Sequence, residues 1–202
     1  MPAGYLIDFG SCVDLASARR AGAEVAVEQL WDLVPGGRDR FDVEGFLALR
    51  NRVATELAGR NPGGTTLATV SRLLEDAGIV DEALALAVDA IYRDVRDRHV
   101  VALEGATETL ARLLERHRVG LVAVGLIDWR FLAVEVDTVL VPRALGLVRG
   151  DAELVTRAAG RLGVAVGDLE VVAPTGSPLL AAAEQAGAVP HPTGPAGIAG
   201  LG

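Results

Sequence analysis

Lysine is absent from this chain of 202 residues, and all 19 basic residues are arginines. Schiff-base chemistry and a Walker-type phosphate lysine are therefore excluded. Arginine stays charged under any realistic condition, so it binds anions but serves poorly as a proton shuttle. Cys12 is the only cysteine, which excludes an internal disulfide and a multi-cysteine metal site. The histidines, His99, His117 and His191, are too far apart in sequence for metal-ligand spacing. Aromatic residues are scarce at 4%, and the formal net charge is -8. No basic patch with interleaved aromatics exists, so no nucleic-acid partner is expected. No apolar run reaches the roughly 18 residues of a membrane span, so no membrane partner is expected. The N-terminus lacks a charged region followed by a long apolar one, so no signal peptide is expected and the localisation expected is cytoplasmic.

What is present is a 50% apolar chain, long enough for a sizeable core. It opens on Tyr5-Leu6-Ile7, a short buried strand by length and bulk, ending on Asp8 and a turn at Gly10-Ser11-Cys12. Residues 13–99 then read as helical. In "TTLATVSRLLEDAG" the residues Leu67, Val70, Leu73 and Leu74 share one helical face, and "DEALALAVDAIY" repeats the pattern. From about residue 100 strands and helices alternate. The apolar runs "VGLVAVG", "DTVLV" and "DLEVVAP" read as buried strands, with Ala188-Val189 a short last one. The amphipathic helices "GATETLARLLERH", "DAELVTRAAGRLGV" and "SPLLAAAEQAG" separate them.

Such alternation predicts an α/β fold, a three-layer, Rossmann-like parallel sheet with an inserted helical segment. The first strand is expected mid-sheet. Ligands in open α/β sheets bind beyond the carboxyl ends of the strands, where Asp8, Gly125 and Ala173-Pro174 would meet. The tail "PHPTGPAGIAGLG" is rich in glycine and proline and is expected to fray. Asp151, at the start of a predicted helix, is expected to cap it.

The order of these segments resembles the haloacid dehalogenase-like (HAD) hydrolase superfamily with a helical cap after the first strand. "LIDFGSCVD" looks like its first motif, "LEGATETLARLLERHRVGLVAV" leads to its second, "VDTVLVPRALGLVRGDAELVTRAAGRLGV" covers its third and "LEVVAPTGSPLLAAAEQAGA" its fourth. The resemblance implies an α/β core at 1–12 and 100–195, a helical cap at 13–99 and a flexible tail at 196–202. It places the family nucleophile on Asp8, and Gly10 where phosphatases of the family carry a second, acid/base aspartate. Arg149 takes the place of the motif lysine and Gly125 that of the motif hydroxyl. Pro174 and Pro178 fall where acidic, Mg²⁺-holding residues are expected.

The candidate catalytic residues are thus Asp8 and Arg149. Gly10, Ser11, Cys12, Gly125, Asp128 and Trp129 are candidates for substrate binding, Asp128 as a replacement for a lost carboxylate and Trp129 as a pocket wall. No metal or other cofactor is expected, because one carboxylate and a backbone carbonyl make a poor Mg²⁺ site. The implied activity is metal-independent, dehalogenase-like hydrolysis of a small molecule through Asp8, with Arg149 as its anion partner. The rival implications are a non-catalytic binding or scaffold protein and a divergent Mg²⁺-dependent phosphatase. An acidic, alanine-rich α/β chain of this size is compatible with a homodimer.

Overall fold

In a computed structural model, residues 2–57, 65–123 and 132–201 are described. The chain divides into two compact units. One comprises Met1–Asp14 and Ala102–Gly202, the other Leu15–Val101.

The first unit is built on a five-stranded sheet: β1 (Gly4–Asp8), β2 (Arg118–Val122), β3 (Thr138–Leu140), β4 (Leu169–Pro174) and β5 (Val189–Thr193). All pairings are parallel and the order is β3-β2-β1-β4-β5. The first strand is therefore the central one. β2 and β3 extend the sheet on one side, and β4 and β5 on the other. Strand order reverses at β1, so its carboxyl end opens at the switch point of the sheet.

Side-chain alternation divides the strand residues between two faces. Leu6, Val122, Leu140, Val171 and Ala173 form one cluster with helices α7 (Ala152–Leu162) and α8 (Pro178–Ala186). Helix α7 contributes Leu154, Val155, Ala158, Ala159 and Leu162, the spacing of a single helical stripe. Each fully buried leucine here contributes about 2 kcal/mol through the area it removes from water. Gly120 lets β2 pack closely, since a Cβ there would lie 3.0 Å from Thr138 Cγ2 and 3.4 Å from Leu6 Cδ1 and those side chains would have to give. Tyr5, Ile7, Val119, Leu121 and Val172 are buried on the opposite side of the pleat. Helix α6 (Ala106–Leu114) packs against β2 and buries Ala106, Leu110 and Leu113.

The segment expected to fray carries regular structure and buried side chains. β5 runs on to Thr193, and a 3-10 turn at Gly197–Gly200 follows, with Ile198 fully buried and Leu201 nearly so. Pro190 and Pro192 fit because β5 is an edge strand, where missing N–H donors leave no inner ladder broken. Two apolar side chains at the very end anchor what glycine content alone suggested was loose.

The second unit is helical: α1 (Leu15–Leu33), α2 (Gly37–Arg40), α3 (Val43–Glu56), α4 (Thr65–Asp76) and α5 (Glu82–Arg98). Asp42 caps α3 through Gly45 N at 2.8 Å, and Asp81 caps α5 through Leu84 N at 2.9 Å. Its core joins Ala23, Val27, Leu30, Phe46, Val70, Leu74, Val88 and Tyr92. None of the described helices is long and apolar enough to cross a membrane.

Candidate functional site

Asp8 is the last residue of the central strand and is 1% exposed. A buried carboxylate needs hydrogen-bond donors or a counter-charge to offset its lost hydration. Three segments supply them. The 3-10 turn Phe9–Ser11 begins directly after Asp8 and turns the Gly10 N–H back onto Asp8 Oδ1 at 2.9 Å. Arg149 Nη1 donates to Asp8 Oδ2 at 2.8 Å, and its Nη2 donates to the carbonyl of Ala123 at 3.1 Å. Ser177 Oγ donates to Asp8 Oδ2 at 3.2 Å. Among the described residues the donors are unequally shared, two on Oδ2 and one on Oδ1.

Arg149 stands in the loop before α7, and the shape of that loop depends on Asp151. The expected cap is not made: Asp151 occupies the N-cap position, but no cap hydrogen bond comes from its side chain. Its Oδ2 instead accepts from the backbone N of Val148 at 2.7 Å. An aspartate can bond backwards as readily as forwards, and here it closes the turn that carries Arg149. The guanidinium then spans two strand ends, Asp8 of β1 and Ala123 just past β2.

Ser177 is the residue that motif matching overlooks. It lies between β4 and α8, is the N-cap of α8 and accepts from Leu179 N at 3.4 Å, with Pro178 in the first helical turn. Its hydroxyl serves both the helix and Asp8. The available signal was a Ser-Pro helix start at the carboxyl end of the strand adjoining β1.

The remaining candidates separate. Gly10 acts through its backbone N–H. Ser11 is 1% exposed, and its hydroxyl pairs with Thr193 Oγ1 at 3.1 Å, which braces the turn. Cys12 is fully buried. Its thiol is pushed up to about 12, first by burial and then by the charge of Asp8. Both effects favour the neutral thiol, which packs here as a small apolar group. Gly125, Asp128 and Trp129 lie outside the described residues.

The fold implies a Mg²⁺ site in some of its members, and the donor set here does not fit one. Asp8 Oδ2 accepts from Ser177 and from the Arg149 guanidinium, whose positive charge competes with a cation for that carboxylate. Among the described residues no cluster of three or more His, Cys, Asp or Glu side chains is placed to hold a metal.

No family model and no curated protein matches the chain. Solved structures do. A 2-haloacid dehalogenase from Pseudomonas syringae pv. Tomato DC3000 is similar with a TM-score of 0.63 at 23% identity, over 94% of this chain and 85% of that one. A putative HAD-hydrolase, YfnB from Bacillus subtilis, bound to magnesium, has a TM-score of 0.75 at 13% identity, over 94% and 87%. An L-2-haloacid dehalogenase from Xanthobacter autotrophicus, with chloropropionic acid covalently bound, has a TM-score of 0.62 at 14% identity, over 96% and 78%. The chain has the HAD-like fold.

Proposed function

We propose that the protein is a metal-independent hydrolase of small 2-halocarboxylates, with Asp8 as nucleophile and Arg149 as its electrostatic partner. The observation that carries this reading is the unequal sharing of donors on Asp8. Arg149 and Ser177 hold Oδ2, while Oδ1, bound among the described residues by the Gly10 amide, keeps a lone pair for attack. Oδ1 forms a bond to the halide-bearing carbon as the carbon–halogen bond breaks, and the halide leaves with the electron pair. The product of this step is an ester through Oδ1.

Hydrolysis of the ester uses the other oxygen. Water adds to Cγ, and negative charge develops on Oδ2, which already receives hydrogen bonds from Arg149 Nη1 and Ser177 Oγ. These preorganised donors stabilise that charge as an oxyanion hole does. The Cγ–Oδ1 bond then breaks. The departing oxygen takes one water proton to give the 2-hydroxy acid, the other proton goes to solvent, and Asp8 is a carboxylate again. Asp128 or a histidine is assigned to water activation. No step passes through a metal.

The likeness to haloacid dehalogenases, one with chloropropionic acid covalently bound, supports the substrate class. We expect halide release from 2-halocarboxylates in the presence of a chelator, abolished by Asp8→Asn in a folded variant. Turnover of phosphate esters that requires Mg²⁺ would contradict the reading.

A second reading is favoured by the 1% exposure of Asp8. In it, the same cluster is an internal clamp of a non-catalytic binding or scaffold protein. Absence of turnover with halocarboxylates and phosphate esters alike, together with loss of stability in Asp8→Asn, selects that reading.

A further inference from the structure

We propose that Thr193, at the end of β5, is a positioning residue that buckles together the two turns donating to Asp8, and that the segment through Gly197 presses one of them into place. The inference deepens the reading of Asp8 given above and rests on it for its catalytic consequence.

Thr193 is 6% exposed and touches both turns. Its Oγ1 lies 3.1 Å from Ser11 Oγ, one residue beyond the Gly10 amide that binds Asp8 Oδ1. Its carbonyl accepts from Thr175 N at 3.1 Å and from Thr175 Oγ1 at 3.1 Å. Thr175 opens the turn that ends on Ser177, the donor to Asp8 Oδ2. One residue, making no contact of its own with Asp8 among the hydrogen bonds described, thus sets two of that carboxylate's three donors.

The following residues hold the first turn from behind. Gly197 adopts φ +62, and a Cβ on it would lie 2.0 Å from the Ser11 carbonyl oxygen and 2.6 Å from Leu103 Cδ1. Only glycine permits that approach. Ile198 is buried just beyond it, and Arg112 Nη2 donates to the Leu201 carbonyl at 2.5 Å. On the same turn the Cys12 carbonyl accepts from Leu103 N at 2.9 Å. The turn is bonded at Ser11 and Cys12 and packed against Gly197. Displacement of a reacting group by about 1 Å costs as much as a hundredfold in rate, so such supports carry catalytic weight.

Thr193→Val keeps the β-branched shape and the backbone bonds and removes the hydroxyl, while Thr193→Ser keeps the hydroxyl. Amide hydrogen exchange is read at Gly10 and, as a control, at Leu6 in the β1 ladder. We expect Thr193→Val to speed exchange at Gly10 about tenfold with Leu6 unchanged, and Thr193→Ser to restore it. With a halocarboxylate, kcat should fall about tenfold in Thr193→Val with KM unchanged. If the wild-type protein turns over nothing, the reading of Asp8 fails while the exchange experiment still decides the buckle. An unchanged Gly10 rate in Thr193→Val, or equal acceleration at Gly10 and Leu6, would overturn the proposal.

Discussion

The two units each bury an aspartate beside an arginine, and they treat it differently. Asp8 is 1% exposed and Asp89 is 3% exposed. Asp8 has donors on both oxygens, from three separate segments. Asp89, on α5, pairs through Oδ2 with Arg93 one helical turn on, at 2.5 Å, and its Oδ1 has no hydrogen-bond partner among the described residues. Tyr92 OH and Arg50 Nε in the same helical unit are likewise buried with no hydrogen-bond partner among the described residues. The difference follows from backbone geometry. At a strand end the chain turns, so free amides and neighbouring loops converge on the side chain. Inside a helix the amides are already committed to the ladder, leaving chiefly side chains to help. Strand ends thus make complete polar sites readily, and helix faces do not.

Removing the arginine from each pair should widen the contrast. Arg149→Met leaves a buried carboxylate short of its counter-charge and is expected to cost about 3 kcal/mol in urea unfolding. Arg93→Met should cost about 1 kcal/mol, because Arg93 is half-exposed and Arg96 still faces Asp89. Equal losses would mean that the completeness of the Asp8 cluster has no energetic meaning.

A smaller effect sharpens the comparison through pH. Burial raises the Asp89 carboxyl above the ordinary aspartate range, against the opposing pull of Arg93 and Arg96. The folded state therefore takes up the proton first as pH falls. Stability relative to Asp89→Asn should rise on acidification from neutral pH through the raised value and level off below the unfolded one. Urea midpoints of the two proteins across that range check the sign. A difference that falls with acidification would show that the arginines outweigh burial.

Much of this was legible in the residues themselves. A short apolar run ending on a carboxylate marked β1 and Asp8, and the alternation after residue 100 marked the parallel sheet. Arg149 was legible as a cation at motif spacing. Ser177 was not, because Ser-Pro is already accounted for as a helix start, and nothing local shows a hydroxyl serving two partners. Asp151 was misread because its side chain can bond in either direction along the chain. In the tail, glycine and proline content signals looseness, while Gly197 also permits close packing on Ser11, which no local pattern shows. Long-range contacts of this kind depend on which turns the sheet brings together, and no local pattern encodes that.

The most direct test is a single turnover of a 2-halocarboxylate in ¹⁸O-labelled water with enzyme in excess, followed by mass analysis of the peptide containing Asp8. Attack through Oδ1 and hydrolysis at Cγ predict one heavy oxygen in that peptide and none in the hydroxyl of the product. A product carrying the heavy oxygen, with the peptide unlabelled, would mean that water attacks the substrate itself and that Asp8 never bonds to it.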